Sequence, residues 1–348
     1  MNDFFVYKPK KTDEDAPPIV SERYLIICDG LHSTGSIKHE IDSEIKTSAY
    51  IGSRCLSNIC KEYFEMNYIE ISELMQMKNN NEDVTERIER TNADFVKYIK
   101  KELDEYAKEK ELSTISCGIE YKGRYEIMPS TLSAIIYKEY DNYVDVMVFS
   151  AGDSRSYVLS SEKGLQQLSK DDNSENEDAY SSDVIMCNCV SQSSDFFINT
   201  YIYRINKPCI LFSCSDGFYE CVATPMHLEY IMDYFLQAEI NILEEKNSYG
   251  ENLTLYLDRN DVMWQDDVTV SGVILGYDDE EFIKKEFRER AFYLKEKYID
   301  EYLELAKKKS CIDNCLNEEK TQMREQIENK QYDLWKKYKT NYEFFYGE

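Results

Sequence analysis

The sequence predicts an α+β fold, with helices segregated from a run of short strands. Two observations carry this. Between residues 131 and 275, β-branched and aromatic runs alternate with turn residues, as strands do. Before residue 107 and again after residue 278, apolar residues recur every three to four positions, as on one face of a helix.

The first 23 residues are polar and carry Pro9, Pro17 and Pro18, which predicts an extended lead-in rather than a helix. A strand is expected at 24–28. Apolar spacing then predicts helices over 37–63 and 84–106, joined by a loop at Asn79, Asn80 and Asn81. Strands are expected at 115–121, 131–140, 143–150, 155–159 and 209–213. The stretch 169–182, crowded with Asp, Asn, Glu and Ser, predicts an exposed loop. A helix at 225–236 and a last strand at 268–275 complete the body. Beyond it, Phe282, Phe287, Phe292, Leu294, Tyr298, Tyr302 and Leu305 mark one helical segment and residues 317–346 a second. This divides the chain into a body, 1–278, and a C-terminal helical hairpin extension, 279–348. The spacing of the aromatic residues suits burial against the body, although the hairpin could also serve as a partner-binding or dimerisation arm.

Charge and composition remove several functions. The 348 residues hold 41 Lys+Arg against 67 Asp+Glu, a net charge of -26, which argues against a general phosphate-backbone footprint and so against nucleic-acid binding. Apolar runs are too short to span a membrane, and the start of the chain shows no apolar signal core, so a cytoplasmic protein is expected. The 11 cysteines form no even framework and often sit inside apolar runs, as in a reducing compartment. Only His32, His39 and His227 supply imidazole, and none pairs at metal-ligand spacing. Carboxylates are therefore the expected chemical groups.

Four aspartates stand at strand tips. Asp29 follows the first apolar strand, Asp153 follows 143–150, Asp216 follows 209–213, and Asp266 precedes the last strand. If the last strand is antiparallel to its neighbours, all four reach one sheet edge. Asp-Gly is a common turn dipeptide, and any single site could be only that. Gathering like charges is costly, however, because close carboxylates raise each other's pKa, and a hard divalent cation neutralises them best. Oxygen ligands favour Mg2+ or Mn2+ over Zn2+. The glycine after Asp29 leaves its carbonyl free as a further oxygen donor.

These residues resemble the PP2C (PPM) metal-dependent protein phosphatases of bacterial type. The ordered pieces are Asp13-Glu14-Asp15-Ala16, Ile27-Cys28-Asp29-Gly30, Ser130-Thr131, Ser150-Ala151-Gly152-Asp153-Ser154-Arg155, Gln167-Leu168-Ser169-Lys170-Asp171, Cys214-Ser215-Asp216-Gly217 and Asp266-Asp267-Val268-Thr269-Val270. They span roughly residues 10 to 277. The resemblance implies a four-layer α-β-β-α sandwich of two antiparallel sheets flanked by helices. It also implies two Mn2+ or Mg2+ ions bridged by Asp29, one completed by Asp216 and Asp266 and the other by Glu14 and the Gly30 carbonyl. Asp153 matches a position that holds a third ion in bacterial relatives, or pairs with Arg155 in a hairpin corner. Lys10 stands where the family places a phosphate-binding arginine, and can also be read as a solvated cation.

The implied activity is hydrolysis of phosphoserine and phosphothreonine in proteins by a hydroxide bridging the two ions, opposing a cognate Ser/Thr kinase. No Cys-x5-Arg loop supports a cysteine phosphatase, since Cys209 is followed at that spacing by Ser215 and Cys214 by Glu220. The sequence departs from the family's usual pattern at His32 and Ser33, where glycines are usual, at Leu31, where eukaryotic members carry a histidine and many bacterial ones an apolar residue, at Pro129, where Gly is usual, and at Asp267, where Asn is usual. His32 is a candidate proton donor to the leaving group or an ordinary loop histidine. The altered loop supports an alternative, a weak or inactive regulatory protein of this fold that binds a partner through its helical tail. An acidic segment between Asp171 and Phe196 predicts a preference for basic phosphopeptides.

Overall fold

The computed structural model describes residues 2–10, 13–31, 38–41, 43–112, 127–173, 180, 186–237, 248–259, 266–312 and 318–347. One five-stranded sheet runs, in spatial order, β1 (Asn2–Lys8), β12 (Val268–Leu275), β11 (Cys209–Cys214), β8 (Arg155–Ser160) and β9 (Gly164–Gln167). A second runs β10 (Asn199–Asn206), β7 (Tyr143–Ala151), β6 (Leu132–Glu139), β3 (Tyr24–Ile27) and β2 (Ile19–Val20). Every pairing in both is antiparallel.

The strands are apolar on both faces because both faces are covered. Leu25, Ile135, Val146 and Val148 of the second sheet meet Val158, Leu211 and Val273 of the first in a core between the sheets. On the outer face of the second sheet lie α1 (Ser48–Asn79) and α2 (Thr85–Glu109), where the Phe149 ring packs 5.6 Å from Phe64 and 5.0 Å from Phe95. After the single turn α3 (Asp216–Tyr219), the first sheet is covered by α4 (Pro225–Leu236), α5 (Ser248–Arg259), α6 (Glu280–Leu294), α7 (Asp300–Ile312) and α8 (Glu318–Tyr342), all joined in one hydrophobic cluster with it. A π-helical turn, Lys295–Ile299, links α6 to α7. The result is the α-β-β-α sandwich, with the tail helices packed as part of its last layer. No helix among the described residues is long and apolar enough to cross a membrane.

Several expectations change. The polar lead-in contains β1, whose alternation buries Phe4 and Val6 and exposes Phe5, a period of two hidden because the outward residue is aromatic as well. The helix expected over 37–63 begins only at Ser48, capped by the Thr47 hydroxyl, which accepts from the Tyr50 amide at 3.1 Å. Ahead of it β4 (Lys38–Ile41) and β5 (Glu44–Thr47) form a separate two-stranded ribbon. That helix then continues to Asn79, well past the expected end. β9, β10 and α5 went unread, and the strand expected at 115–121 lies outside the described residues. In the tail Phe287, Leu294, Tyr298, Tyr302 and Leu305 are buried as expected, whereas Phe282 and Phe292 face out.

Candidate active site

Strand direction brings the acids together. β12 is antiparallel to β11 with Val270 opposite Cys214, so residues 266–267 enter beside Asp216. The carbonyl oxygen of Asp267 lies 2.0 Å from where a Cβ on Gly217 would stand, an approach only glycine permits. In the other sheet β3 and β7 both run antiparallel to β6, so Asp29 and Asp153 leave the same edge. From there the chain crosses through Gly152, Asp153 and Ser154 into β8 of the first sheet.

Hydroxyl groups fasten these ends. The Thr131 amide donates to the Asp29 carbonyl at 2.8 Å, and the Thr131 and Ser154 hydroxyls share a hydrogen bond of 2.6 Å. Ser215 and Thr269 are joined by two hydrogen bonds, each of 3.0 Å. Gly30 bridges to Ser130 and leaves no room for a side chain, because a Cβ would stand 2.5 Å from the Glu14 carbonyl and 2.7 Å from that of Ala49.

Four carboxyls converge here: Asp15, Asp29, Asp153 and Asp216. Asp15 is fully buried; the others keep part of their surface open. Burial, opposed by hydrogen bonds with Asp29 and Thr269, pushes Asp15 up to about 8. Asp29 is raised well above the usual range by burial and then by Asp15, and Asp216 by burial and then by Asp29 and Asp153. Asp153 is pushed up to about 7 by burial, with Asp171 adding repulsion and Arg155 opposing it. None of the four makes a salt bridge among the described residues. Arg155 is committed to Asp171 instead, with Nη2 to Oδ2 at 2.6 Å and Nε to both oxygens at 3.1 Å.

Sequence reasoning singled out three of these four and passed over Asp15, because three consecutive acids in a loop carry no periodicity to say which turns inward. Its neighbour Glu14 is also buried, and its amide donates to Asp267. Asp267, flagged only as a departure from Asn, orders this whole segment. Its Oδ1 accepts from the Lys10 amide, and its Oδ2 from the amides of Glu14 at 2.6 Å and Asp15 at 3.2 Å. Asp266 is exposed, with its Oδ1 accepting from the Asp267 amide at 2.8 Å. The Lys10 side chain is half-buried, and its charge acts on Cys221, just past Asp216 in the chain. His32 lies outside the described residues. Arg54 adds a clamp, its guanidinium donating to the Asp13 carbonyl at 3.1 Å and the Tyr7 hydroxyl at 2.9 Å.

Among the described residues no group of three or more His, Cys, Asp and Glu stands as a ready-made ion cage. Asp15 and Asp216 each share a hydrogen bond with Asp29 instead. The chemistry of the donor set nevertheless fits hard divalent ions. Carboxylate oxygens gathered where burial and mutual repulsion hold their pKa values up are costly to ionise until a cation is added.

No family model matches the chain. No curated protein matches it either. Solved structures do. An arginine-to-lysine variant of a bacterial serine phosphatase aligns with a TM-score of 0.50 and 19% identity, covering 80% of this chain and 99% of that one. The fold is that of the bacterial PP2C-type serine/threonine phosphatases. Stp1, a serine/threonine phosphatase of Staphylococcus aureus, aligns with a TM-score of 0.48 and 19% identity over 80% of this chain and 96% of its own. The catalytic domain of the serine threonine protein phosphatase PstP, in complex with 2 manganese ions, aligns at 0.45 and 16% identity over 78% of this chain and 97% of its own.

Proposed function

We propose that this PP2C-fold chain is a metal-dependent protein phosphatase that removes phosphate from phosphoserine and phosphothreonine. The observation that supports this reading best is the meeting of Asp15, Asp29, Asp153 and Asp216 from four separate chain segments, without a salt bridge to any of them among the described residues. A fold gains nothing from such crowding unless a cation neutralises it.

In this reading Asp29 would serve both ions, Asp216 and Asp266 would help hold one, and Glu14 with the Gly30 carbonyl would help hold the other. Asp15 joins them, and Asp153 serves a third ion. Bound Mg2+ or Mn2+ neutralises phosphate charge and acidifies water enough for attack on phosphorus near neutral pH. The protein's own residues position these groups. Gly30 and Gly217 let backbone approach the site, Asp267 and Arg54 hold the Asp13–Asp15 segment in place, and Lys10, whose amide is tied to Asp267, would supply positive charge for the substrate phosphate. Phosphorylated proteins are then the partners, with a Ser/Thr kinase supplying them.

The test is phosphate release from a phosphothreonine peptide with Mn2+, with chelator added, and with Asp216→Ala. Turnover only in the first condition is expected. Equal rates in all three would reject an enzyme working at this cluster, and Mn2+ binding without turnover would favour a regulatory protein of the same fold.

A further inference from the structure

Helices α7 and α8 pack side by side and leave a groove of about 490 Å3 on the outer surface. Leu305 and Ile327, both buried, line its depth, and Met323 lines it with 52% of its surface exposed. Lys307, Lys308 and Lys330 also line it and are exposed, while no Asp or Glu lines it among the described residues. Lys309 and Arg324 nearby are paired with Glu328, at 2.8 and 3.1 Å, whereas none of the three lining lysines makes a salt bridge among the described residues. An apolar cleft bordered by unpaired cations suits apolar side chains carried between acids.

The body displays that pattern on α1. Glu62, Glu65, Met66, Ile69, Glu70 and Glu73 are all exposed, and their spacing of three and four residues sets them along one side of the helix. Met66 and Ile69 keep 63% and 74% of their surface in water, with acids before and after them and no Lys or Arg in the stripe. Glu65 accepts from the Tyr24 hydroxyl at 2.9 Å, but Glu70 and Glu73 make no salt bridge among the described residues. Single exposed apolar residues are ordinary; an aliphatic pair framed by acids marks an interaction surface.

Ridge and groove cannot meet within one molecule. α1 covers the second sheet and α7 with α8 the first, so they occupy opposite outer layers of the sandwich. The charge distribution favours a meeting between molecules in this orientation. Residues 279–348 carry 15 Lys+Arg and 17 Asp+Glu, so nearly all of the net charge of -26 belongs to the body. Two bodies repel each other strongly, whereas a body meeting a tail does so far less.

We propose that the α7–α8 groove is an interaction surface for a second copy of this chain and receives the acidic α1 ridge of that copy. The contact joins two different patches, so association runs past the dimer unless the rotation closes a ring. It goes beyond the phosphatase reading and does not depend on it.

The test is sedimentation velocity on the full chain at physiological salt. The native chain should gain mass with concentration. Lys308→Glu with Lys330→Glu, and separately Glu70→Lys with Glu73→Lys, should each weaken association at least tenfold, and Ile69→Ser, which keeps every charge, should weaken it as well. All of these positions are exposed, so thermal melts should stay near native. The decisive chain carries both pairs of reversals at once: the reversed ridge again matches the reversed groove, and self-association should return. A native chain that stays monomeric at every concentration would overturn the proposal. So would association that either pair of reversals leaves unchanged, or a fourfold-substituted chain no better than the two partial ones.

Discussion

Asp267→Asn tests the claim that a buried acceptor orders the Asp13–Asp15 segment. The carboxylate of Asp267 accepts three backbone N–H groups, one on Oδ1 and two on Oδ2. An amide can offer only one accepting oxygen. Turned toward Glu14 and Asp15, it sets its NH2 against the Lys10 amide, so one charge-assisted bond is lost and two become neutral. A hydrogen bond to a charged group contributes roughly 1.5–3 kcal/mol and a neutral one roughly 0.5–1.5 kcal/mol. The variant should therefore lose about 5 kcal/mol at the middle of these ranges, slightly offset by removing one negative charge near Asp15. Urea unfolding in chelator at pH 7 measures this directly as a lower midpoint at unchanged slope. A variant within about 0.5 kcal/mol of the native chain, the usual range for an inert surface change, would refute the reasoning.

Two further outcomes follow from buried acids. Asp216→Asn should raise the melting temperature of the metal-free chain, since repulsion from Asp29 and Asp153 is relieved, and should abolish any rise on adding Mn2+; a variant that melts lower than native in chelator contradicts this. Asp233, buried on α4, is raised well above the usual carboxylate range by burial and by Glu229, with Arg290 opposing. Its folded pKa exceeds its unfolded one, so the folded state holds the proton longer. The stability this gives is complete below the unfolded value near 4 and is lost as pH rises toward the folded value, at about 1.4 kcal/mol per pH unit. Asp233→Asn should match the native chain in thermal melts at pH 4 and exceed it at pH 8. An equal difference at both would mean that Asp233 is not coupled to folding through its proton, and a larger gain at pH 4 would be the wrong sign.

What could be read in the sequence was whatever rested on long apolar runs. The strands ending at Asp29, Asp153 and Asp216 are continuous hydrophobic stretches because both of their faces are buried, and a buried run announces its own end. That the acid before β12 reaches the same edge depended on that strand being antiparallel to its neighbours, a sense the sequence left open and the pairing with β1 and β11 supplies. Shorter or mixed signals failed. Ile37, Ile41 and Ile45 satisfied a helical period, yet Ile41 and Ile45 lie in the β4–β5 ribbon, where Ile45 is 73% exposed. β1 showed no alternation because its outward position carries an aromatic as well, Phe5, between the buried Phe4 and Val6. At the site, strand-end acids were legible and loop acids were not, since only tertiary partners such as Thr269, whose hydroxyl donates to Asp15 at 2.7 Å, select among Asp13, Glu14 and Asp15. The tail's aromatic spacing foretold burial, while the place where Phe345 and Tyr346 land depends on distant segments that local pattern does not encode.

The pairing of β1 with β12 joins Asn2 to Ile274, strands far apart in sequence lying side by side. During synthesis β1 must wait for nearly the whole body to emerge before it finds its neighbour, and until then β11 presents an unpaired edge able to recruit a stray strand. Such remote closure slows maturation relative to a sheet of local hairpins, so a newly made chain is most exposed to aggregation in the interval before β12 arrives.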